Sequence, residues 1–320
     1  MPWRKRAAIP SILLLGGVLA AAGCGGSGGN SQSSGSSKSI TVAVAFPSPP
    51  AAALSRFTKQ TGISVHWVNI GWDDLQTKIA AAAAAHTYFA DVTDVDWSKV
   101  GEYYGLKWFY PLNPYFSVST LTAQDPQLSS FVDHGELMGV PMDASFLVTT
   151  INTKEFHKAG ITTTPTTLAQ YTADLRQLQK THVSPHPLDI PLQAQEGLST
   201  YWYELTGAFG SHVLTSSYQP TFTSPSSAGY KALAWIVSAY KTGLVPPGNI
   251  NGADVASITG EQAHGQTASA FSEYSGDIAT VYDVKANSSV VGQMQYIPTP
   301  GLNGAGPNLS EPDGVGIPKT

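Results

Sequence analysis

Apolar residues in this chain fall into short runs that glycine, proline and polar residues separate. Ile40 to Phe46 is mostly apolar, as in a strand buried on both faces. A helical pattern follows from Ala51 to Thr61 and stops at Gly62, a residue type that favours the end of a helix. Ile63 to Val68 returns to a strand pattern. Strand, helix and strand in close succession predict a right-handed βαβ unit and hence an α/β fold.

The middle of the chain contains a short polar segment between two predicted strands. The β-branched run from Phe146 to Ile151 predicts a buried strand, and Leu137 to Pro141 predicts a short strand before it. Met142 to Ser145 lies between them, so we interpret it as a connection between two parts of the fold. Asn152 and Gly160 fit the start and the end of a following helix.

Two helices in the second half can be predicted in more detail. Thr167 and Gln170 have the spacing of a capping box, in which each side chain satisfies a free backbone N–H. Between Ser226 and Tyr240 apolar residues recur at helical spacing, and Gly243 ends the pattern. The predicted core face of this helix carries Tyr230, Leu233, Ala234, Val237 and Tyr240.

The N-terminal residues have the pattern of a bacterial lipoprotein leader. Arg4-Lys5-Arg6 is a basic start, and Ile9 to Ala22 is an apolar run too short for a comfortable membrane span. Small residues precede Cys24, the single cysteine of the chain. We therefore predict a lipoprotein signal peptide over residues 1–23, lipidation of Cys24, and a location on the cell surface or the periplasmic side of the membrane. The alternative is an ordinary cleaved signal with a stray cysteine.

Composition and charge narrow the classes of function. Residues 24–39 are mostly Gly, Ser, Gln and Asn, which predicts a flexible tether. The 320 residues carry 17 Lys and Arg against 22 Asp and Glu, a formal net charge of −5. This acidic balance argues against a nucleic-acid partner. His182 and His186 have the spacing of a possible pair of metal ligands, but the prolines beside His186 prevent the helix that would align them. We therefore predict no metal site and no cofactor.

Several motifs occur in the order and spacing of a known family. The central stretch contains Gly135, Gly139-Val140-Pro141 and Asp143, followed by Asn152, Phe156 and Lys158-Ala159-Gly160-Ile161. Elsewhere the chain contains Phe57, Lys59-Gln60-Thr61-Gly62-Ile63, Gly243-Leu244-Val245-Pro246-Pro247 and Asp313-Gly314-Val315-Gly316-Ile317-Pro318. Together these residues resemble the family 1 extracellular solute-binding proteins, the sugar-binding subunits of ABC importers.

The resemblance implies an α/β fold of the periplasmic-binding-protein type with two lobes. Each lobe is expected to hold a mostly parallel sheet flanked by helices, and hinge strands are expected to join the lobes. The implied first lobe comprises residues 40–142 and 297–320, and the second comprises residues 146–292. The hinges are expected near residues 142–146 and 292–297. Because relatives continue with further helices, the chain is expected to be C-terminally truncated.

Eight residues are predicted to contact the solute. Trp72 follows one predicted strand, and Asp96 and Trp97 end another, at the sheet edge where α/β proteins bind ligands. The resemblance adds residues from the hinge and from the second lobe. The predicted set is Trp72, Asp96, Trp97, Asp143, Tyr201, Trp202, Tyr274 and Asp313. Aromatic rings suit the apolar faces of a sugar, and carboxylates accept its hydroxyl protons.

The function implied by the resemblance is the substrate-binding subunit of an ABC importer. It would capture a carbohydrate, either an oligosaccharide or a related polyol, by hinge closure and without catalytic residues. Its partners would be the permease subunits and the membrane to which Cys24 is anchored, and the protein would be a monomer. One alternative is a secreted glycoside-acting enzyme that uses Asp96 and Asp143 as paired carboxylates. The other is the same fold with a cationic solute such as a polyamine, since aromatic rings and carboxylates attract cations.

Overall fold

The computed structural model describes residues 38–319, so the predicted leader and Cys24 lie outside the described residues. The strands are β1 (Lys38–Val44), β2 (Ile63–Asn69), β3 (Val92–Asp96), β4 (Val132–Asp133), β5 (Glu136–Leu137), β6 (Val140–Pro141), β7 (Leu147–Asn152), β8 (Leu188–Asp189), β9 (Ser269–Tyr274), β10 (Met294–Ile297) and β11 (Asp313–Gly316). Lys38 and Ser39, predicted as the end of the tether, already pair with β2.

Helices connect most of these strands. The α-helices are α1 (Ala51–Thr61), α2 (Trp72–Ala85), α3 (Val100–Leu106), α4 (Val118–Gln124), α5 (Thr153–Lys158), α6 (Leu168–Lys180), α7 (Glu196–Ala208), α8 (Ala228–Lys241), α9 (Asn249–Gly252) and α10 (Val255–Ala263). Two 3₁₀ segments, Trp97–Lys99 and Pro126–Phe131, and one π-helical turn, Ile278–Tyr282, complete the set. Within residues 38–319, no helix combines the length and the apolar character needed to span a membrane.

The first sheet contains five strands in the order β2-β1-β3-β11-β6. β1 pairs in parallel with β2 and β3, and α1 connects β1 to β2, as the sequence pattern predicts. α1 ends because Gly62 adopts a φ of 72°, in which its N–H donates to the Thr58 carbonyl. β11 comes from the far end of the chain and pairs antiparallel with both β3 and β6.

The second sheet contains four strands in the order β10-β7-β9-β8. β7 pairs antiparallel with β10 and β9, and β8 pairs in parallel with β9. Both sheets are therefore mixed, whereas the resemblance implies mostly parallel sheets. The apolar run of β7 correctly indicated a fully buried strand. Burial on both faces does not fix strand direction, because a central strand is buried in either orientation.

The chain passes between the two sheets twice, from β6 to β7 and from β10 to β11. β10 pairs with β7, so the segment predicted as a hinge at residues 292–297 forms an edge of the second sheet instead. After β10 the chain stays beside this sheet, where Asn308 Nδ2 donates to the Leu147 carbonyl at 2.5 Å. The second passage therefore lies near residues 310–312. There Glu311 N–H donates to a carbonyl of the first passage, that of Ser145.

Each sheet has its own hydrophobic core, as expected for a fold of two lobes. Leu75, Val95 and Phe131 belong to the core beside the first sheet. Tyr171 and Phe271 belong to the core beside the second sheet, which is the larger of the two. We call the parts of the chain around these cores the first and the second lobe.

The helix α8 buries a different face from the one predicted. Its buried residues are Ala228, Gly229, Ala232, Ile236 and Ala239. Tyr230, Leu233 and Val237, which the spacing predicts as core, are 45%, 51% and 41% exposed. α8 packs against α7, and a Cβ on Gly229 would lie 3.2 Å from the Trp202 ring. The close approach of the two helices requires small residues at the contact, so the alanine face is the buried one.

Candidate functional site

A cavity of about 580 Å³ lies between elements of the two lobes. One wall comes from α2 and the 3₁₀ turn Trp97–Lys99 of the first lobe, and the other comes from the start of α7 in the second lobe. The residues that line it are Asp73, Gln76, Thr77, Ser98, Lys99, Gln195, Glu196, Ser199, Thr200 and Tyr203. This volume lies within the range of small-molecule sites, and the lining is rich in hydrogen-bonding groups.

Helical spacing places one face of α7 on the cavity. Glu196, Ser199 and Tyr203 are separated by three and four residues, so they share a face of the helix. Tyr201, Leu205 and the rest of the opposite face are buried in the core of the second lobe. The cavity face of α7 therefore offers a carboxylate, hydroxyls and one aromatic ring.

The end of β3 positions two charged groups of the first lobe. Asp96 is fully buried and caps the 3₁₀ turn, accepting hydrogen bonds from Ser98 N–H and Ser98 Oγ, both at 2.7 Å. Its other carboxylate oxygen accepts from Lys99 Nζ at 2.6 Å. Both oxygens of Asp96 are thus engaged within the first lobe. Asp96 holds the turn and orients Lys99 toward the cavity.

Glu196 connects the two walls of the cavity. Its Oε2 atom accepts hydrogen bonds from Trp72 Nε1 at 2.9 Å and from Lys99 Nζ at 3.2 Å. Burial is the main cause that raises the pKa of Glu196, and the nearby Asp96 carboxylate adds to it. The hydrogen bonds from Trp72 and Lys99 act in the opposite direction. These contacts place predicted residue Trp72 at the junction of the lobes.

The two passages between the lobes are tied together by hydrogen bonds. Asp143 Oδ1 accepts a hydrogen bond from Asp313 N–H at 2.8 Å, and the Asp313 carbonyl accepts from Met142 N–H at 2.7 Å. Burial, together with the charges of Asp94 and Asp143, raises the pKa of Asp313 to about 9. Burial also raises the pKa of Tyr274, with Glu311 and Asp313 as the next causes.

Asp94 is a buried carboxyl that the sequence reading missed. It is 0% exposed, and no hydrogen bond of standard geometry reaches its oxygens, although the Gln76 side chain lies close enough to lower its pKa. Burial, followed by the charge of Asp96, raises its pKa to about 8. Because strand residues two apart face the same side, Asp94 shares a face of β3 with Asp96. The signal in the sequence was this two-residue spacing within an otherwise apolar strand.

None of the eight predicted contact residues is among the residues that line the cavity, and three of them pack elsewhere. Tyr201 is 0% exposed, and its ring packs against Phe271 in the core of the second lobe. Trp202 Nε1 donates to the Gly229 carbonyl at 2.8 Å, so this side chain packs on α8. Trp97 is half-buried against the core of the first lobe. The structure corrects the predictions for Tyr201 and Trp202, because the helical phase directs both side chains into packing contacts.

The lining consists of residues that the sequence reading did not select. They are Asp73, Gln76, Thr77, Ser98, Lys99, Gln195, Glu196, Ser199, Thr200 and Tyr203, which is the whole lining. Gln76 Nε2 and Gln195 Oε1 are buried without a hydrogen-bond partner in the protein. Polar side chains of this kind are common on any surface, so composition alone did not distinguish them. The helical spacing of Glu196 and Tyr203 was the signal that could have found the α7 set.

The paired carboxylates of the enzyme alternative have structural roles in this arrangement. Asp96 is engaged by Ser98 and Lys99, and Asp143 holds the backbone of the second passage. A glycoside hydrolase needs one carboxyl as acid and another as base or nucleophile, both directed at the substrate. Both oxygens of Asp96 accept from protein donors instead, and Asp143 Oδ1 accepts from Asp313 N–H.

Two lobes, each with its own sheet and core, and a polar cavity between them define the class of two-lobed α/β binding proteins. Within that class, the chain belongs to the bacterial extracellular solute-binding proteins, because the model of this family matches residues 43–320. No match was found among curated protein sequences.

Solved structures share the fold at low sequence identity. An ABC-transporter solute-binding protein of Agrobacterium radiobacter K84, in complex with ribitol, has a TM-score of 0.75 and 21% identity over 88% of this chain and 71% of that chain. A protein of the same description from Thermotoga lettingae TMO, bound to α-D-tagatose, has a TM-score of 0.75 and 18% identity over 88% of this chain and 73% of that chain. Maltose-bound MalE3 of T. maritima has a TM-score of 0.72 and 18% identity over 88% of this chain and 72% of that chain.

Proposed function

We propose that the protein is the substrate-binding subunit of an ABC importer and that it captures a carbohydrate, either an oligosaccharide or a related polyol. The observation that carries the proposal is the polar cavity between the lobes, where α7 faces α2 and the 3₁₀ turn. The family membership supports it, as do the ribitol, tagatose and maltose named for the similar structures. The permease subunits of the importer would be its protein partners, and the protein would act as a monomer.

The chemistry of the cavity suits a polyhydroxylated solute. Ser199, Thr200 and the two glutamines offer donors and acceptors that hydroxyl groups can satisfy. The Tyr203 ring offers an apolar surface for a sugar face. An unpartnered buried group such as Gln195 Oε1 favours a solute that supplies the missing hydrogen bond, since an unsatisfied buried group costs about 1–3 kcal/mol.

Closure of the lobes would follow from contacts that the solute makes with both walls. We place the first lobe at residues 38–141 and 313–319, and the second at residues 147–309. The hinge then comprises residues 142–146 and 310–312. A solute held by both walls favours the closed state by the free energy of the contacts that form only on closure.

A solute panel tests the proposed function. We expect at least one monosaccharide, sugar alcohol or oligosaccharide to raise the Tm of the protein by roughly 5–10 °C at a hundredfold excess over its Kd. Differential scanning fluorimetry measures this shift. Ser199→Trp would fill the cavity and is expected to abolish it, while Ser238→Trp on the exposed face of α8 would leave it unchanged. A folded protein that responds to no member of a broad panel would contradict the proposal.

The lipid anchor has its own test. We propose that Cys24 is acylated after removal of residues 1–23 and that it holds the protein on the outer side of the bacterial membrane; the position of this single cysteine supports the proposal. Cys24→Ser is expected to move nearly all of the protein from the membrane fraction to the released fraction and to abolish fatty-acid labelling. Ser27→Ala is the matched control in the same segment. Retention of the Cys24→Ser protein on the membrane would argue against the anchor.

A further inference from the structure

Direct hydrogen bonds between the two lobes converge on one carboxylate oxygen. Trp72 Nε1 and Lys99 Nζ, both in the first lobe, donate to Glu196 Oε2 of the second lobe at 2.9 Å and 3.2 Å. Within residues 38–319, these are the two hydrogen bonds that join the lobes outside the hinge. The connection between the two walls of the cavity therefore depends on a single acceptor atom.

Each of the three side chains is positioned by its own lobe. Asp96, which is fully buried, accepts from Lys99 Nζ at 2.6 Å and so fixes the ammonium group. Trp72 is the first residue of α2. Glu196 is the first residue of α7, where the free N–H groups of the helix favour a carboxylate. Because these groups are already oriented, their association loses little side-chain entropy.

The hydrogen bond from Trp72 contributes more than the ion pair. The side chains of Lys99 and Glu196 are 31% and 24% exposed, and a partly exposed ion pair contributes little because water screens it. The half-buried Trp72 donates its indole N–H to a charged oxygen, and such a bond is about twice as strong as one between neutral groups. Its loss is expected to change an equilibrium about tenfold.

We propose that Trp72, Lys99 and Glu196 form an interlobe latch, which holds the lobes closed before a solute binds. All three groups belong to the protein, so their contacts form without any contribution from the solute. Trp72 lies outside the lining of the cavity, so in this arrangement it is a positioning residue that acts through Glu196. The inference rests on the proposed function, since it describes how access to the same cavity is controlled.

The latch would control the rates of solute exchange more than the affinity. A solute enters and leaves through the open state, and opening breaks both contacts, since a hydrogen bond is lost beyond about 3.5 Å. The latch stabilises the closed state equally with and without the solute. It therefore slows entry and escape together, whereas the affinity changes only with the fraction of protein that is closed.

The size of each effect can be calculated for a latch that maintains about ten closed molecules for each open one. Loss of the Trp72 hydrogen bond moves this ratio to about one to one, so the open fraction rises about fivefold. Association is then expected to be about fivefold faster and dissociation about tenfold faster. The Kd rises only about twofold, because the closed fraction falls by about half.

Small-angle X-ray scattering of the protein without added solute tests the latch. Trp72→Phe keeps an aromatic ring but lacks the indole N–H, and we expect its radius of gyration to exceed that of the native protein. Trp235→Phe is the matched control, because Trp235 Nε1 donates to Thr172 Oγ1 at 3.0 Å within the second lobe. This control should retain the native radius. Equal radii for Trp72→Phe and the native protein would overturn the latch.

A double-mutant cycle separates the latch from a loss of packing around Trp72. Glu196→Ala removes the shared acceptor and is expected to increase the radius of gyration by itself. In that background Trp72→Phe should change the radius no further, because the partner of the indole is already absent. A second increase of equal size would assign the effect to packing and overturn the latch. If Trp72→Phe failed to fold, Glu196→Ala would decide, and an unchanged radius would overturn the latch.

Stopped-flow binding measures the exchange rates, with ribitol, tagatose and maltose as probes. For each probe that binds, Trp72→Phe should raise both rate constants while the Kd changes less than about threefold. Unchanged association together with a Kd more than about tenfold weaker would make Trp72 a solute contact and overturn its assignment as a positioning residue. If neither these probes nor the wider panel bind to the folded protein, the proposed function fails, and the scattering result still decides the latch.

Discussion

Replacing Tyr201 with alanine is expected to lower the free energy of unfolding by about 3–5 kcal/mol, the usual loss when a buried aromatic side chain is removed. Tyr201 is 0% exposed, and the centre of its ring lies 5.6 Å from that of Phe271. Leu205 and Ala208 continue the same buried face of α7. The cavity left by the substitution lies within the core of the second lobe, where it cannot fill with solvent at low cost. Chemical denaturation followed by circular dichroism measures the loss.

Tyr203→Ala, two residues further along the same helix, is expected to leave the stability nearly unchanged and to weaken solute binding. Its ring lines the cavity, so the free energy of unfolding should change by less than about 1 kcal/mol. The affinity for a solute identified in the panel should fall by about tenfold, since a stacked ring contributes area as well as geometry. Tyr203→Phe retains the ring and should retain most of the affinity. A stable Tyr201→Ala protein that has lost binding, beside an unaffected Tyr203→Ala protein, would reverse this assignment.

The contrast between these tyrosines shows why the site was harder to predict than the fold. Three adjacent aromatic residues, Tyr201-Trp202-Tyr203, occupy directions about 100° apart on a helix, and composition does not say which of them faces the cavity. The positions of the neighbouring core and polar residues along the helix do indicate which one it is. Leu205 and Ala208 mark the core face that contains Tyr201, while Glu196 and Ser199 mark the polar face that contains Tyr203.

Features that depend on neighbouring residues were predictable. The capping box of Thr167 and Gln170 is present as predicted, because both partners lie within one turn of the helix. The start of α5 at Asn152 is another such case, since its side chain accepts from Glu155 N–H. Features that depend on distant residues were not predictable in the same way. β10 pairs with β7, more than a hundred residues earlier, and no local pattern in Met294–Ile297 distinguishes a sheet edge from a hinge.

The prediction of which face of α8 is buried was wrong for a related reason. Tyr230, Leu233 and Val237 recur at helical spacing, and hydrophobicity alone favours their burial. The alanine face packs against α7 instead, because the neighbouring helix lies too close for larger side chains. Packing distance between two helices is a property of the pair, so the sequence of one helix does not reveal it.

The free energy of unfolding is expected to fall by several kcal/mol as the pH rises from about 4.5 to about 8. Two carboxyl groups buried in the second lobe contribute to the effect, beside Asp94 and Asp313, whose pKa values are raised as well. Glu204 accepts hydrogen bonds from Ser272 Oγ and Thr299 Oγ1, both at 2.5 Å, and burial raises its pKa to about 7. Asp189 is 0% exposed, and burial, followed by the charge of Glu261, raises its pKa to about 7 as well.

The direction of the effect follows from where each state holds its protons. In the unfolded chain both groups ionise near pH 4, whereas the folded protein keeps them protonated until about pH 7. Between these values the unfolded state releases protons that the folded state retains, so stability falls as the pH rises. Below the window both states are protonated, and above it both are ionised. Each pKa unit corresponds to about 1.4 kcal/mol, so each group contributes on the order of 3 kcal/mol.

Matched variants separate these two groups from the rest of the protein. In Glu204→Gln and Asp189→Asn the side chain is neutral at every pH, so each variant should lose its share of the slope, and the double variant should lose both. Asp254 is the control of opposite sign: the hydrogen bond from Ser257 is the main cause that lowers its pKa, so Asp254→Asn should reduce stability above about pH 4. Denaturant titrations at several pH values measure these slopes. The contrary result would be a native protein whose stability rises from pH 5 to pH 8, with a slope that Glu204→Gln leaves unchanged. It would mean that the buried carboxyls are ionised in the folded state. The hydroxyl donors around Glu204 and the Asn249 amide that donates to Asp189 at 2.7 Å would then stabilise charge rather than hold a proton.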